Sequence, residues 1–381
     1  MNHFNKKRKL RICFFSFYGY SLFNRKKEVP FGGSEVQLYL ISRELSKLSN
    51  YEVTVIIGDK NLKRRIEIAN NLKLHVVLPL EKKILNYFKG LVNLISSLLI
   101  INPDVIIQRS IGIPTLILSF YCKFTGKKFV YSIASEKDVV KTVKKGIIGR
   151  LFRFALNFVD FFIAQNADQV NKIRTLKGNR INRIKVIKNA FLIEDVNINE
   201  KKNILWVGRA IKEKQPEVFI NLAKKFPEED FVMICLKNKY NLSLLNYWRE
   251  IFQKARLLKN MKFYEFIPFN KIDNFFKEAK IFVNTSIREG FPNAFIQALK
   301  NKTPIVSLSV NPDGFISKYK CGFYCNNNQH KMEENILKLL KSDTIFEEYS
   351  KNAYDYVKKN HDIKENMKLW DETIKELIED S

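Results

Sequence analysis

The chain of 381 residues carries 66 Lys and Arg against 39 Asp and Glu, a formal charge of +27, with 46% hydrophobic and 13% aromatic residues. Such a length exceeds one typical core and divides naturally into two domains, and the apolar content excludes a disordered chain. The charge is uneven, with 35 basic against 14 acidic residues over 1–195 and 31 against 25 over 196–381, so charge alone points to an anionic partner, phospholipid or nucleic acid.

Taken in chain order, strands and helices alternate from end to end. After a basic start, Leu10–Phe17 is a β-branched and aromatic run, too polar at Ser16 to Tyr20 for a signal peptide. A loop with Gly32-Gly33 follows, then helical spacing over Ser34–Leu48 with Ser34 as N-cap, and a strand at Tyr51–Ile57. The pattern predicts strands near Leu74–Val77, Val105–Gln108, Lys128–Ile133, Phe161–Ala164 and Ile184–Ile187. Helices fall near Leu85–Ile100, Thr115–Phe124 and Ile147–Phe158. The longest apolar stretch, Leu91 to Ile101, is too short to span a bilayer.

A polar, irregular stretch reads as a linker over 191–202. A second alternating set begins at Asn203–Val207. It continues through helix 216–226, strand Asp230–Cys235, helix 244–257, strand Met261–Phe263, helix Lys271–Ala279, strand Ile281–Asn284, helix 293–300 and strand Ile305–Leu308. The tail from about His330 is helical and charged. Alternation of this kind predicts an α/β protein of two doubly wound, Rossmann-like domains facing a cleft, with ligands beyond the carboxyl ends of the strands.

Several motifs sit at those ends. Phe31-Gly32-Gly33-Ser34-Glu35 opens the first helix, where glycines let the backbone approach an anion or simply make a tight turn. It is not a G-x-G-x-x-G fingerprint, so a nicotinamide or flavin site has no motif support. Arg209 and Lys214 follow the strand ending Val207-Gly208 and suit a diphosphate, whose growing negative charge they would stabilise; the bland alternative is a solvated basic loop. Glu289-Gly290-Phe291-Pro292-Asn293-Ala294 places an acid and a tight turn before an apolar helix, with Asn293 as its cap and Gln297 eight residues after the acid. Carboxylate to a sugar hydroxyl, helix N–H groups to a diphosphate and Gln297 to a ribose is one reading; an exposed helix position is the other for Gln297.

Glu136 and Asp138 follow a strand of the first half, where an acceptor could approach, though ordinary loop acids look the same. His3, His75, His330 and His361 do not cluster, and Cys13, Cys122, Cys235, Cys321 and Cys325 lack ligand spacing. No metal centre or His-based triad is expected, and the cysteines read as thiols of a reducing compartment. Phe152, Phe154 and Phe158 with Lys144, Lys145, Arg150 and Arg153 form a basic aromatic stretch, either a lipid-touching surface or a core helix with a solvated rim. No nucleic-acid recognition motif accompanies the charge.

With these residues in hand, the chain resembles the retaining glycosyltransferases of the GT-B fold, the family 4 or group 1 type. The resemblance covers nearly the whole chain and is strongest over 203–325. There strand-Val-Gly-Arg, Lys214, Asn284-Thr-Ser, Glu289-Gly-Phe-Pro-Asn, Thr303-Pro-Ile-Val-Ser and Cys321-Gly-Phe occur in the family's order. The resemblance implies an acceptor-binding domain at 1–190, a nucleotide-sugar domain at 203–360 and a helix at 361–381 packing back on the first domain. It implies catalytic roles for Arg209, Lys214 and Glu289, and donor contacts from Gly32, Gly33, Gly208, Gly290 to Ala294 and Gln297. Glu265–Phe269 would bracket the base.

The donor would be a UDP-, GDP- or ADP-sugar without further cofactor. The acceptor would be a glycan or lipid-linked precursor of the cell surface, met in the cytoplasm or on the inner face of the membrane, which the basic first domain would touch. Three positions depart from the family. Gln297 stands for its second glutamate, no His is evident near Ser132–Asp138, and Ala190 replaces a Gly. These departures support a second reading, a catalytically silent sugar-nucleotide-binding relative acting as a scaffold.

Overall fold

The computed structural model describes residues 8–24, 31–59, 65–69, 71–78, 84–110, 112–134, 138, 147–177, 183–195, 201–237 and 241–379. The chain divides into two compact units, residues 1–188 with 363–381 and residues 189–362, so it passes from one to the other after Lys188 and again after Asp362.

In the first unit the apolar runs become strands β1 (Leu10–Phe15), β2 (Tyr51–Gly58), β3 (Arg65–Ala69), β4 (Leu72–Val77), β5 (Val105–Arg109), β6 (Lys128–Ser132), β7 (Phe161–Ala164) and β8 (Ile184–Val186). They form one sheet in the order β3-β4-β2-β1-β5-β6-β7-β8. All pairings are parallel except β3 with β4. Central strands are apolar on consecutive residues because helices cover both faces, leaving Cys13, Phe14, Val55, Ile56, Ile106 and Ile107 almost without solvent contact. The covering helices are α1 (Tyr20–Phe23), α2 (Gly33–Leu45), α3 (Ile84–Ile101), α4 (Ile113–Thr125), α5 (Ile147–Ala155) and α6 (Ala167–Lys177). Gly32, not Ser34, is the N-cap of α2, because the Glu35 carboxylate folds back to accept the Gly32 N–H at 3.0 Å and the Ser34 hydroxyl at 2.9 Å.

The second unit repeats the plan with β9 (Asn203–Arg209), β10 (Asp230–Leu236), β11 (Met261–Tyr264), β12 (Ala279–Asn284), β13 (Ile305–Ser307) and β14 (Gly322–Tyr324), ordered β11-β10-β9-β12-β13-β14 and wholly parallel. Its helices are α7 (Pro216–Lys225), α8 (Leu242–Arg256), α9 (Ile272–Glu278), α10 (Asn293–Lys300), α11 (Phe315–Lys318), α12 (Gln329–Lys341) and α13 (Asp343–His361). Trp206, Phe219, Phe231, Met233 and Trp248 fill the core on one side of this sheet. The last helix, α14 (Ile363–Glu379), belongs to the first unit. Trp370 is buried there, Tyr51 donates to Asp371 at 2.5 Å, and Asn366 donates to the Lys188 carbonyl at 3.3 Å.

One glycine is dictated by the backbone. Gly322 opens β14 at φ 152°, and a Cβ there would lie 1.9 Å from the Ile305 carbonyl oxygen on the neighbouring strand. No side chain fits between two hydrogen-bonded parallel strands at that spacing. Gly322→Ala is expected to destabilise the second unit by roughly 4 kcal/mol or more. A denaturant midpoint of the second unit unchanged from wild type would contradict this account of the turn.

Candidate functional site

In a parallel sheet, consecutive connections that leave on opposite sides open a crevice at the carboxyl ends of two adjacent strands. In the second unit that switch lies between β9, whose partner on the other side is β10, and β12, which leads on to β13. The β9 end runs through Arg209 into a short 3-10 turn at Lys212–Lys214, and the β12 end runs through Asn284 to Glu289. Topology thus brings two segments far apart in sequence to one edge. There the Lys214 ammonium meets the Glu289 carboxylate at 2.6 Å.

The pair is held from behind by a short hydrogen-bond chain. Buried Trp206 donates its indole N–H to the Thr285 hydroxyl at 2.9 Å, and that hydroxyl donates to the Lys214 carbonyl at 2.5 Å. The Ile287 N–H reaches the Glu213 carbonyl at 2.9 Å, tying the two loops together at a second point. Asn284 donates to the other Glu289 oxygen at 3.1 Å and to the Ser286 hydroxyl at 3.3 Å, while its own oxygen accepts the Ser286 N–H. Burial pushes the Glu289 carboxyl up, but the Lys214 charge, its hydrogen bond and those from Ser286 and Asn284 together outweigh it. The group is held below the ordinary carboxylate range. It is therefore an anion at neutral pH.

Beyond Glu289 the chain turns through buried Gly290, Phe291 and Pro292 into α10. Pro292 is the N-cap, with extended backbone at φ −62° and ψ 129°, and Asn293 is the first helical residue, not the cap. The Asn293 side chain instead accepts from Asn189 at 3.0 Å, and Asn189 also donates to the Phe291 carbonyl at 3.1 Å. The Asn189 carbonyl in turn sits 2.6 Å from His361 Nδ1, and the Phe191 N–H reaches the His361 carbonyl at 3.0 Å. Phe291 packs 4.5 Å from the His361 ring and stacks on Phe315, which stacks on Tyr356. Both places where the chain leaves the second unit are therefore fastened to the turn that positions Glu289.

Arg209 is exposed at the tip of β9. Gly208 is required by packing, since a Cβ would lie 2.7 Å from the Trp206 indole two residues earlier on the same strand face. Ala294 lies in the first turn of α10. Gln297 is 7% exposed, which rules out the solvent-facing helix position. Glu136 lies outside the described residues.

The first unit repeats the switch between β1 and β5, and a cavity of about 290 Å³ lies there, lined among others by Ser16, Glu35, Tyr87, Arg109, Ser110 and Ile113. Arg109 is buried and donates to the Ser132 hydroxyl at 2.9 Å. Burial lowers its guanidinium, against the charges of Asp138, Tyr131 and Glu35, to about 10, so it keeps its charge at neutral pH. Asp138 accepts from the Ala134 N–H at 2.8 Å and from the Ser110 hydroxyl at 3.3 Å. Ser110 holds a left-handed backbone at φ 72°, a conformation that a non-glycine residue adopts at a cost. Gly32 and Gly33 start α2 above this region, where a Cβ on Gly32 would lie 2.6 Å from the Glu35 carboxylate.

Sequence reasoning missed Asn189, His361, Arg109 and Glu35 as parts of these arrangements. For Arg109 the only available signal was its place at the end of an apolar strand.

Residues 188–359 match the family model described as Glycosyl transferases group 1, so the region holding Lys214 and Glu289 is a domain of that type. The chain is 23% identical over 267 residues, 68% of its length, to an uncharacterized glycosyltransferase of Methanocaldococcus jannaschii, and spans 62% of that relative. Among solved structures it is similar to sucrose-phosphate synthase from Thermosynechococcus elongatus, with TM-score 0.80 and 13% identity over 98% of this chain and 100% of that one. It is also similar to Anabaena HepE in complex with UDP and glucose, with TM-score 0.74 and 14% identity over 96% of this chain and 100% of that one. The fold is the GT-B arrangement of two parallel-sheet, Rossmann-like domains.

Two outcomes check the site's construction. Thr285→Val keeps the shape but strands the Trp206 N–H and the Lys214 carbonyl, and is expected to cost roughly 1–3 kcal/mol in chemical denaturation; a cost near zero would contradict the bonding described. Because Glu289 is depressed below its ordinary value of 4.5, it contributes stability above that value which is lost as pH falls through its folded pKa. Glu289→Gln should flatten the acid limb of the urea midpoint against pH, and an unaltered limb would speak against an ionised, paired carboxylate.

Proposed function

We propose that the protein is a retaining glycosyltransferase, of hexosyltransferase type, that moves a sugar from a nucleoside-diphosphate sugar to a cell-surface polysaccharide or glycolipid precursor. The observation that carries this reading is the Lys214–Glu289 pair at the β9/β12 switch, immediately before the N-terminus of α10, within a group 1 glycosyl transferase domain. An ammonium has three donors, and one directed at Glu289 leaves two for diphosphate oxygens. Exposed Arg209 adds a second cation, and the first-turn N–H groups of α10 add a favourable dipole. These groups stabilise the charge that grows on the leaving diphosphate as the glycosidic bond breaks.

Glu289 remains an acceptor after its contacts to Lys214, Ser286 and Asn284, since each carboxylate oxygen has two lone pairs, and it takes a hydrogen bond from a donor-sugar hydroxyl. Gln297 accepts from a ribose hydroxyl without adding charge. In the first unit, the cavity lined by Arg109 and Glu35, with Asp138 accepting from Ser110 of its wall, receives the acceptor. The acceptor hydroxyl attacks from the face the diphosphate leaves, preserving anomeric configuration.

Incubation with labelled UDP-, GDP- and ADP-sugars and glycolipid extracts tests the reading. Lys214→Glu is expected to abolish transfer, and Lys214→Ala to lower it by about 10²–10³-fold. Proton NMR of the product should show the donor's anomeric configuration. Turnover unchanged in Lys214→Glu would remove the assignment, and donor binding with no transfer to any acceptor would favour the silent scaffold.

A further inference from the structure

We propose that α3, α4 and α5 of the first unit form a docking face for an anionic lipid bilayer, with α3 lying in the interface. The three helices are neighbours in one layer. Tyr121 of α4 donates to the Leu98 carbonyl of α3 at 3.0 Å, and Phe120 of α4 packs 5.9 Å from Phe154 of α5. The inner sides of α3 and α4 belong to the sheet core through Leu94, Leu98, Leu118 and Cys122, and that of α5 packs into the neighbouring cluster through Phe152.

Their outer sides are apolar where a solvated helix would be polar. On α3, Phe88, Val92, Ile95 and Leu99 recur at helical spacing and are 59, 65, 38 and 60% exposed. Phe124 at the end of α4 and Ile147, Leu151 and Phe154 on α5 extend the exposed apolar surface. None of the three helices contains an Asp or Glu, while Lys89, Lys123 and Arg150 are exposed among the apolar side chains. Of the basic aromatic stretch, Arg150 and Phe154 are exposed on this face, whereas Phe152 is buried in the core.

Apolar side chains interspersed with cations, on helices without carboxylates, suit a surface whose interior is hydrocarbon and whose headgroups are anionic. A second copy paired face to face would set these cations against one another. Among the described residues no helix is long and apolar enough to cross a membrane, and α3 keeps one side in the protein core, so it lies on the bilayer and does not span it. Tyr87, next to Phe88, and Ile113 and Pro114 at the start of α4 also line the Arg109 cavity. A lipid-linked acceptor would therefore arrive at the cavity from the docked surface; this last point alone rests on the glycosyltransferase reading.

Flotation of the full chain with vesicles of phosphatidylcholine plus phosphatidylglycerol, against phosphatidylcholine alone, tests the face. Binding to the anionic vesicles that weakens with salt is expected. The double variant Val92→Glu, Leu99→Glu, at exposed positions, should lose it while keeping the wild-type thermal midpoint and nucleoside diphosphate binding. Lys123→Glu and Arg150→Glu should each weaken it by about fivefold or more. Absence of binding to either vesicle, or binding that Val92→Glu, Leu99→Glu leaves intact, would overturn the proposal. So would a dimer in light scattering that the double variant dissolves and vesicles do not displace. Because nucleoside diphosphate binding is read separately, loss of the donor site would be distinguishable from loss of the docking face.

Discussion

The contact between Lys214 and Glu289 organises the second unit's edge. Neither side chain is fully solvated, at 21 and 16% exposure, so each needs the other, and each comes from a loop that would otherwise splay away from its strand. The Trp206–Thr285–Lys214 chain and the Ile287–Glu213 backbone bond keep the two loops at the separation the pair requires. With the charges of the pair balanced, net positive character on these loops comes from exposed Arg209, Lys212 and Arg288 and from the α10 dipole. Under the proposed function, a diphosphate would meet directed donors there.

That edge is tied to the points where the chain leaves the unit. Asn189 bonds to the Phe291 carbonyl and to Asn293, and its carbonyl meets His361, which is buried against Phe291. A shift of the backbone at 189 or at 361 would be felt directly by the turn holding Gly290 and Phe291. The buried aromatic column from Phe291 through Phe315 to Tyr356 gives this turn a stiff floor, which suits a site whose donors must be aimed before the ligand arrives.

Much of this was legible in the residues, for reasons that differ by element. Internal strands such as Phe161–Ala164 stood out because burial on both faces demands uninterrupted apolar side chains. The edge strand Arg65–Ala69 did not, being short, half polar and antiparallel to its neighbour. Helix Ala167–Lys177 was hidden by its polarity, and three-residue Gly322–Tyr324 is too brief to show a period. Lys214 and Glu289 were legible because each follows an apolar strand beside a glycine. The Arg109 cavity was not, since the end of β1, α2, α3, β5 and the start of α4 assemble it from residues with no common motif. The apolar outer face of α3 was equally silent, because periodicity gives the spacing of apolar residues but not how many sides of the helix the fold will cover.

The most direct measurement is titration calorimetry of wild type and Glu289→Gln with a nucleoside diphosphate and with the corresponding nucleotide sugar. If Glu289 grips the sugar while Lys214 and the start of α10 grip the diphosphate, the substitution weakens the nucleotide sugar and leaves the bare diphosphate bound as well or better, because Lys214 loses a competing anion. Equal weakening of both ligands, or of neither, would contradict that division of labour.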